Sequence, residues 1–105
     1  MAYIVRIARA AELQIEAFAT YLTDYSDELA FEQRDRLVRI LSVQLAESPN
    51  TWSYFALTGA PYRAYLFRVG RRTHYWIIYT VDDEAKVVEV LSFWNSARDP
   101  LTLEF

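Results

Sequence analysis

Thr73-His74-Tyr75-Trp76-Ile77-Ile78-Tyr79-Thr80-Val81 is the stretch that decides the fold. It is rich in aromatic and β-branched residues, and a two-residue repeat places Tyr75, Ile77 and Tyr79 on one face and His74, Trp76, Ile78 and Thr80 on the other. Upstream, Tyr62–Val69 alternates Arg63, Tyr65 and Phe67 with Ala64, Leu66 and Arg68, so a second strand precedes it across a turn at Gly70, Arg71 and Arg72. Downstream, Asp82 to Ala85 closes another turn and Val87–Phe93 forms a last strand. Before these, Trp52–Leu57 reads as a short extended piece and Gly59 to Pro61 as a turn. The second half of the chain is therefore an antiparallel meander.

The first half has a different period. Tyr3–Ile7 is a short strand. From Arg9 to Thr23, Ala11, Ile15, Phe18 and Leu22 line one face of a helix. Ser26 is an N-cap for a second helix, with Asp27 and Glu28 complementing its positive end. Ala30, Leu37, Leu41 and Leu45 form that helix's apolar stripe, and Glu32 with Arg36 and Asp35 with Arg39 are acid-before-base pairs four residues apart. Ser48-Pro49 stops it. The expected fold is α+β, in the order β-α-α-β-β-β, with a helical hairpin on one face of a mainly antiparallel sheet. The other face is expected to stay open.

With 105 residues, the chain has room for one domain, residues 1–105, and its three Trp, eight Tyr and six Phe supply a core without staples. No cysteine and a single histidine exclude disulfides, thiol nucleophiles and Cys/His zinc cages. Two glycines cannot build a phosphate cradle, so no cofactor is expected. The start of the chain meets Arg6 and Arg9 too early for a signal peptide, and the longest uncharged run holds two prolines. We expect a soluble cytoplasmic protein with no membrane contact.

Net charge is −3, which opposes bulk electrostatic binding to nucleic acid. The charge is segregated. Residues 48–81 hold Arg63, Arg68, Arg71 and Arg72 and no acid, whereas the segments on either side are acidic. Four cations without a local acid need pairing from elsewhere, and arginine suits bidentate and stacked contacts. Together with Trp76, Trp94 and Arg98 they are the expected partner-binding residues. Asp82, Asp83 and Glu84 read as a solvated turn and not a metal site. His74, Arg68, Tyr75 and Glu47 are the candidates for proton transfer or charge stabilisation, although a lone strand histidine reads first as a packing or surface residue.

Taken in order, Tyr3-Ile4-Val5-Arg6, the helical hairpin ending in Leu45-Ala46-Glu47-Ser48-Pro49, Phe67-Arg68-Val69-Gly70, Tyr75 to Asp83, and Val87 to Leu91 followed by Arg98-Asp99-Pro100 resemble the RelE/ParE superfamily of toxins from type II toxin–antitoxin modules, of the plasmid stabilisation type. The resemblance spans almost the whole chain. It implies a cytoplasmic growth inhibitor silenced by a cognate antitoxin whose amphipathic segment wraps it, as a hetero-oligomer or alongside a homodimer. Two activities occur in the superfamily: cleavage of mRNA in the ribosomal A site, and poisoning of DNA gyrase without nuclease action.

Departures from the ribonuclease pattern bear on the choice. Ribonuclease members commonly place Arg after the Tyr that opens the penultimate strand, where this chain has Trp76, and Asn95 stands where a basic or imidazole residue often follows the last strand. In-line attack by a 2′-hydroxyl needs a proton acceptor, a proton donor and fixed positive charge, and Trp76 supplies none of them. The resemblance therefore implies a ParE-like toxin that binds a protein such as gyrase. The alternative is a RelE-like, ribosome-dependent endoribonuclease with a divergent site.

Overall fold

The structure, a computed structural model, describes residues 2–52, 62–69 and 73–96. Most of the Trp52–Leu57 piece, the turns at Gly59–Pro61 and Gly70–Arg72, and the tail holding Arg98 lie outside the described residues. Strand β1 spans Ile4–Ile7, helix α1 Arg9–Thr23 and helix α2 Asp27–Arg39. A π-helical turn at Ile40–Gln44 leads into α3, Leu45–Glu47. Strands β2, Arg63–Val69, β3, Thr73–Asp82, and β4, Val87–Asn95, follow among the described residues.

The hairpin forms for the reasons its residues give. Ser26 Oγ accepts the Leu29 N–H at 3.2 Å and satisfies an orphan donor of the first turn of α2. Asp35 and Arg39 meet at 2.8 Å, as their spacing requires. Arg36, expected to pair with Glu32, instead turns toward the sheet: its guanidinium lies 4.7 Å above the Phe67 ring and donates to the Arg68 carbonyl at 2.9 Å. The π turn is marked by the Leu45 N–H reaching back to the Ile40 carbonyl. Leu37, Ile40, Leu41 and Leu45 are all buried, the i, i+3, i+4, i+8 spacing of one helical face carried through the π turn.

The sheet order is β1-β4-β3-β2. Strands β2, β3 and β4 form the antiparallel meander, while β1 lies parallel to β4, with Ile4 opposite Val87. One irregularity matters. Ile78 faces Ser92 but Tyr79 faces Val90, so β4 carries a bulge at Leu91. This extra residue lets Val88, Val90 and Phe93 join the same cluster although their spacing breaks strict alternation. At the bulge, Gln14 of α1 accepts both the Phe93 N–H at 2.7 Å and the Ser92 hydroxyl at 3.1 Å, which ties α1 to the sheet.

Beneath the helices, Ala11, Phe18, Leu22, Leu37, Leu41 and Leu45 pack against Phe67, Ile77, Tyr79, Val88, Val90 and Phe93. The opposite face is not bare as expected. Ile78 is fully buried there and Trp94 is 6% exposed, in a second cluster with Tyr62, Ala64 and Trp76.

Tyr79 is fully buried and its hydroxyl donates to the Pro49 carbonyl at 2.7 Å, fastening the turn after α3 to the sheet. Burial pushes this phenol up to about 12, against a smaller lowering by Arg63. Above the ordinary tyrosine value the unfolded chain gives up this proton while the folded chain keeps it, so stability falls as pH rises from about 10 to 12. Tyr79→Phe should cost about 1–3 kcal/mol near neutral pH and remove that part of the alkaline loss. Thermal unfolding of both proteins across the window tests it. Parallel curves would sink the assignment.

Candidate partner-binding surface

The expected site residues separate by face and by end of the sheet. Strand β2 alternates, so Tyr65, Phe67 and Val69 point under the helices together with Arg63, while Ala64, Leu66 and Arg68 face the other way. Arg63 is half-buried and its guanidinium donates to the Trp52 carbonyl at 2.6 Å. It therefore helps fix the chain after α3 and does not share a face with Arg68. Trp94 is packing for the second cluster, its ring withdrawn from solvent. Arg68 is exposed, stands opposite His74 across the strands, and has Leu66 and half-buried Trp76 in the neighbouring row. Arg71, Arg72 and Arg98 lie outside the described residues.

Of the candidates for proton transfer or charge stabilisation, only His74 and Arg68 are brought together, and Tyr75 and Glu47 lie apart from them. Tyr75 points under the helices, stacked on Phe93 at 4.5 Å with an interplanar angle of 9° and edge-on to Phe18 at 4.9 Å. His74 and Arg68 stand on the opposite face. Glu47 ends α3, where the neighbouring Ala46 carbonyl accepts the Tyr3 N–H at 2.7 Å. Tyr3 leads into β1, whose Ile4 faces Val87, and Val87 faces Asp82. His74 is eight residues from Asp82 along β3, roughly 26 Å at strand rise. Glu47 thus marks one end of the sheet and His74 the other.

Near Glu47 the polar groups have structural partners. Tyr3 and Asn50 donate to Asp83 at 2.6 and 2.9 Å and hold its carboxyl below its ordinary value. Asp82 accepts the Glu84 and Ala85 amides, and Lys86 takes the left-handed backbone that ends the turn, at φ 58°. Among the described residues no three His, Cys, Asp or Glu side chains are grouped to hold a metal.

Two concavities escaped the sequence reading. A cleft of about 380 Å³ lies between α1 and the sheet, lined by Gln14, Phe18, Tyr21, Thr73, Tyr75 and Asn95. A groove of about 370 Å³ runs between α1 and α2, floored by Ile15, Phe18, Ala19, Ala30 and Leu37, with Glu16 and Arg34 also lining it. The one sequence signal for the cleft is Gln14, a polar residue between Ala11 and Phe18 on the apolar side of α1. No helix among the described residues is long and apolar enough to cross a membrane.

Comparison with known proteins gives a coherent result. A family model described as the ParE toxin of the type II toxin–antitoxin system parDE matches residues 5–100. No curated protein matches the chain. Among solved structures, the RelBE2 toxin–antitoxin complex from Mycobacterium tuberculosis aligns with a TM-score of 0.60 at 18% identity, covering 90% of this chain and 99% of that one. A free-state mutant of the E. coli toxin RelE aligns with a TM-score of 0.52 at 18% identity, covering 92% and 86%. These two likenesses establish a shared fold.

Proposed function

Since the chain belongs to the ParE toxin family of type II toxin–antitoxin systems, we propose that it arrests growth in the cytoplasm by binding a protein target, with DNA gyrase as the first target to test, and not by cutting RNA. The observation that carries this reading is that Tyr75 and Glu47 lie apart from the adjacent pair His74 and Arg68, Tyr75 on the other face of the sheet and Glu47 at its other end. General acid–base cleavage needs its groups within hydrogen-bond reach of one phosphodiester. Trp76, in the place where ribonuclease members commonly carry Arg, adds an apolar ring to the same face as Arg68. An aromatic beside a cation is a composition that protein interfaces favour.

Silencing rests with a cognate antitoxin. The basic segment around Arg68 attracts its acidic residues, and the groove between α1 and α2 fits the apolar side chains of an amphipathic segment. Inducing the toxin without its antitoxin and mapping transcript ends separates the two superfamily activities. The expected result is intact messages with a DNA-damage response. Codon-specific breaks in translated messages would replace this reading with the endoribonuclease.

A further inference from the structure

The geometry of β2 points to a use of its outer edge that is independent of the toxin's target. The Ser96 N–H donates to the His74 carbonyl at 2.9 Å, so the backbone groups of His74 point toward β4. Arg68, opposite His74 in β2, therefore makes no backbone pair with it and turns its own N–H and carbonyl away from the sheet. By alternation, Ala64 and Leu66 do the same. These three residues present an edge with no strand beside it among the described residues. Among the described residues Arg36, from α2, reaches that edge: its guanidinium takes the Arg68 carbonyl at 2.9 Å and is held there by Gln33 Oε1 and the Phe67 ring.

We propose that the β2 edge is a latent pairing site for a second copy of the chain, kept closed by Arg36. The register that overlaps all of Arg63–Val69 with its antiparallel copy is centred on Leu66. It sets Leu66 against Leu66 and Ala64 against Arg68, so every outward-pointing amide and carbonyl finds a reciprocal partner. On the helix side Tyr65 meets Phe67, an aromatic cross-strand pair. Charge agrees with this register, because Arg68 opposes Ala64 and Arg63 opposes Val69, and no two arginines of β2 face each other. A seven-residue edge without Pro or Lys is one that proteins ordinarily guard, and Arg36 supplies the guard by occupying the acceptor and placing a cation at each end of the would-be joint.

Arg36→Ala should strengthen self-association by at least about tenfold over wild type in sedimentation velocity, since two charge-assisted hydrogen bonds no longer have to be broken per dimer. Hydrogen exchange locates the contact. In Arg36→Ala the amides of Ala64, Leu66 and Arg68 should slow as concentration rises, whereas those of Tyr65 and Phe67, already bonded to β3, should not change. Adding Leu66→Pro, which removes the amide at the centre of the joint, should return Arg36→Ala to monomer. Loss of the Phe67 contact alone would lower stability and could not slow exchange with concentration. An Arg36→Ala protein that stays monomeric, or associates without protecting these amides, overturns the proposal. So does protection of the edge only on addition of the antitoxin, which would make the edge an antitoxin-strand site.

Discussion

Phe67→Ala should lower stability by about 3–5 kcal/mol, the range for deleting a buried aromatic when the cavity left behind cannot fully collapse. Phe67 is fully buried. Its ring lies edge-on to Phe18 at 6.1 Å, tilted to Phe93 at 5.9 Å, and under the Arg36 guanidinium at 4.7 Å. It is therefore the point where α1, α2, β2 and β4 meet. A domain of this size has about 5–15 kcal/mol in all, and each kcal/mol is worth about 4–8 °C. The melting temperature should fall by at least about 12 °C. Phe31→Ala is the control: Phe31 is 73% exposed on α2, and its loss should stay within about 0.5 kcal/mol. Equal melting temperatures for the two variants would mean that the helices do not pack on β2 as described.

The second large effect concerns the antitoxin. Reversing Arg68 and Arg72 together to Glu should weaken the toxin–antitoxin complex by about 2–5 kcal/mol, because each reversal both removes an attraction and installs a repulsion against an acidic partner. The fold should survive, since the Arg68 side chain is exposed and only its backbone carbonyl is engaged, by Arg36. A calorimetric titration of the variant against the antitoxin reads the loss directly, with unchanged circular dichroism as the check on folding. Undiminished affinity would take the docking surface off the basic segment and leave the groove between α1 and α2 as the main contact.

How far the site was legible follows from the same physics. The tyrosine and tryptophan faces of β3 were readable from alternation alone, and Ser26 and Pro49 bounded the second helix through capping and ring constraints that act within a turn. The basic segment was readable as a count of charges. Its division was less so: alternation in Arg63–Val69 separates Arg63 from Arg68, yet only the position of the helices tells which of them is covered. Trp94 read as a contact residue because the second face was expected to be open, whereas Ile78, Ala64 and Tyr62 enclose it. The cleft at Gln14 and Tyr75 joins residues 61 positions apart in the chain, and no local pattern reports such a meeting.

By itself the sequence determined the kinds of element and their order, the absence of thiol and imidazole-pair chemistry, and the segregation of charge, all of which depend on neighbours a few residues apart. Tertiary structure decided that β1 lies parallel beside β4, that a bulge at Leu91 returns Phe93 to the core, that Arg36 leaves Glu32 for Phe67 and the β2 edge, and that Glu47 and His74 end up at opposite ends of one sheet. The reason is range. Hydrogen-bond ladders and core packing join residues tens of positions apart, and their placement is set by which apolar faces can be buried together.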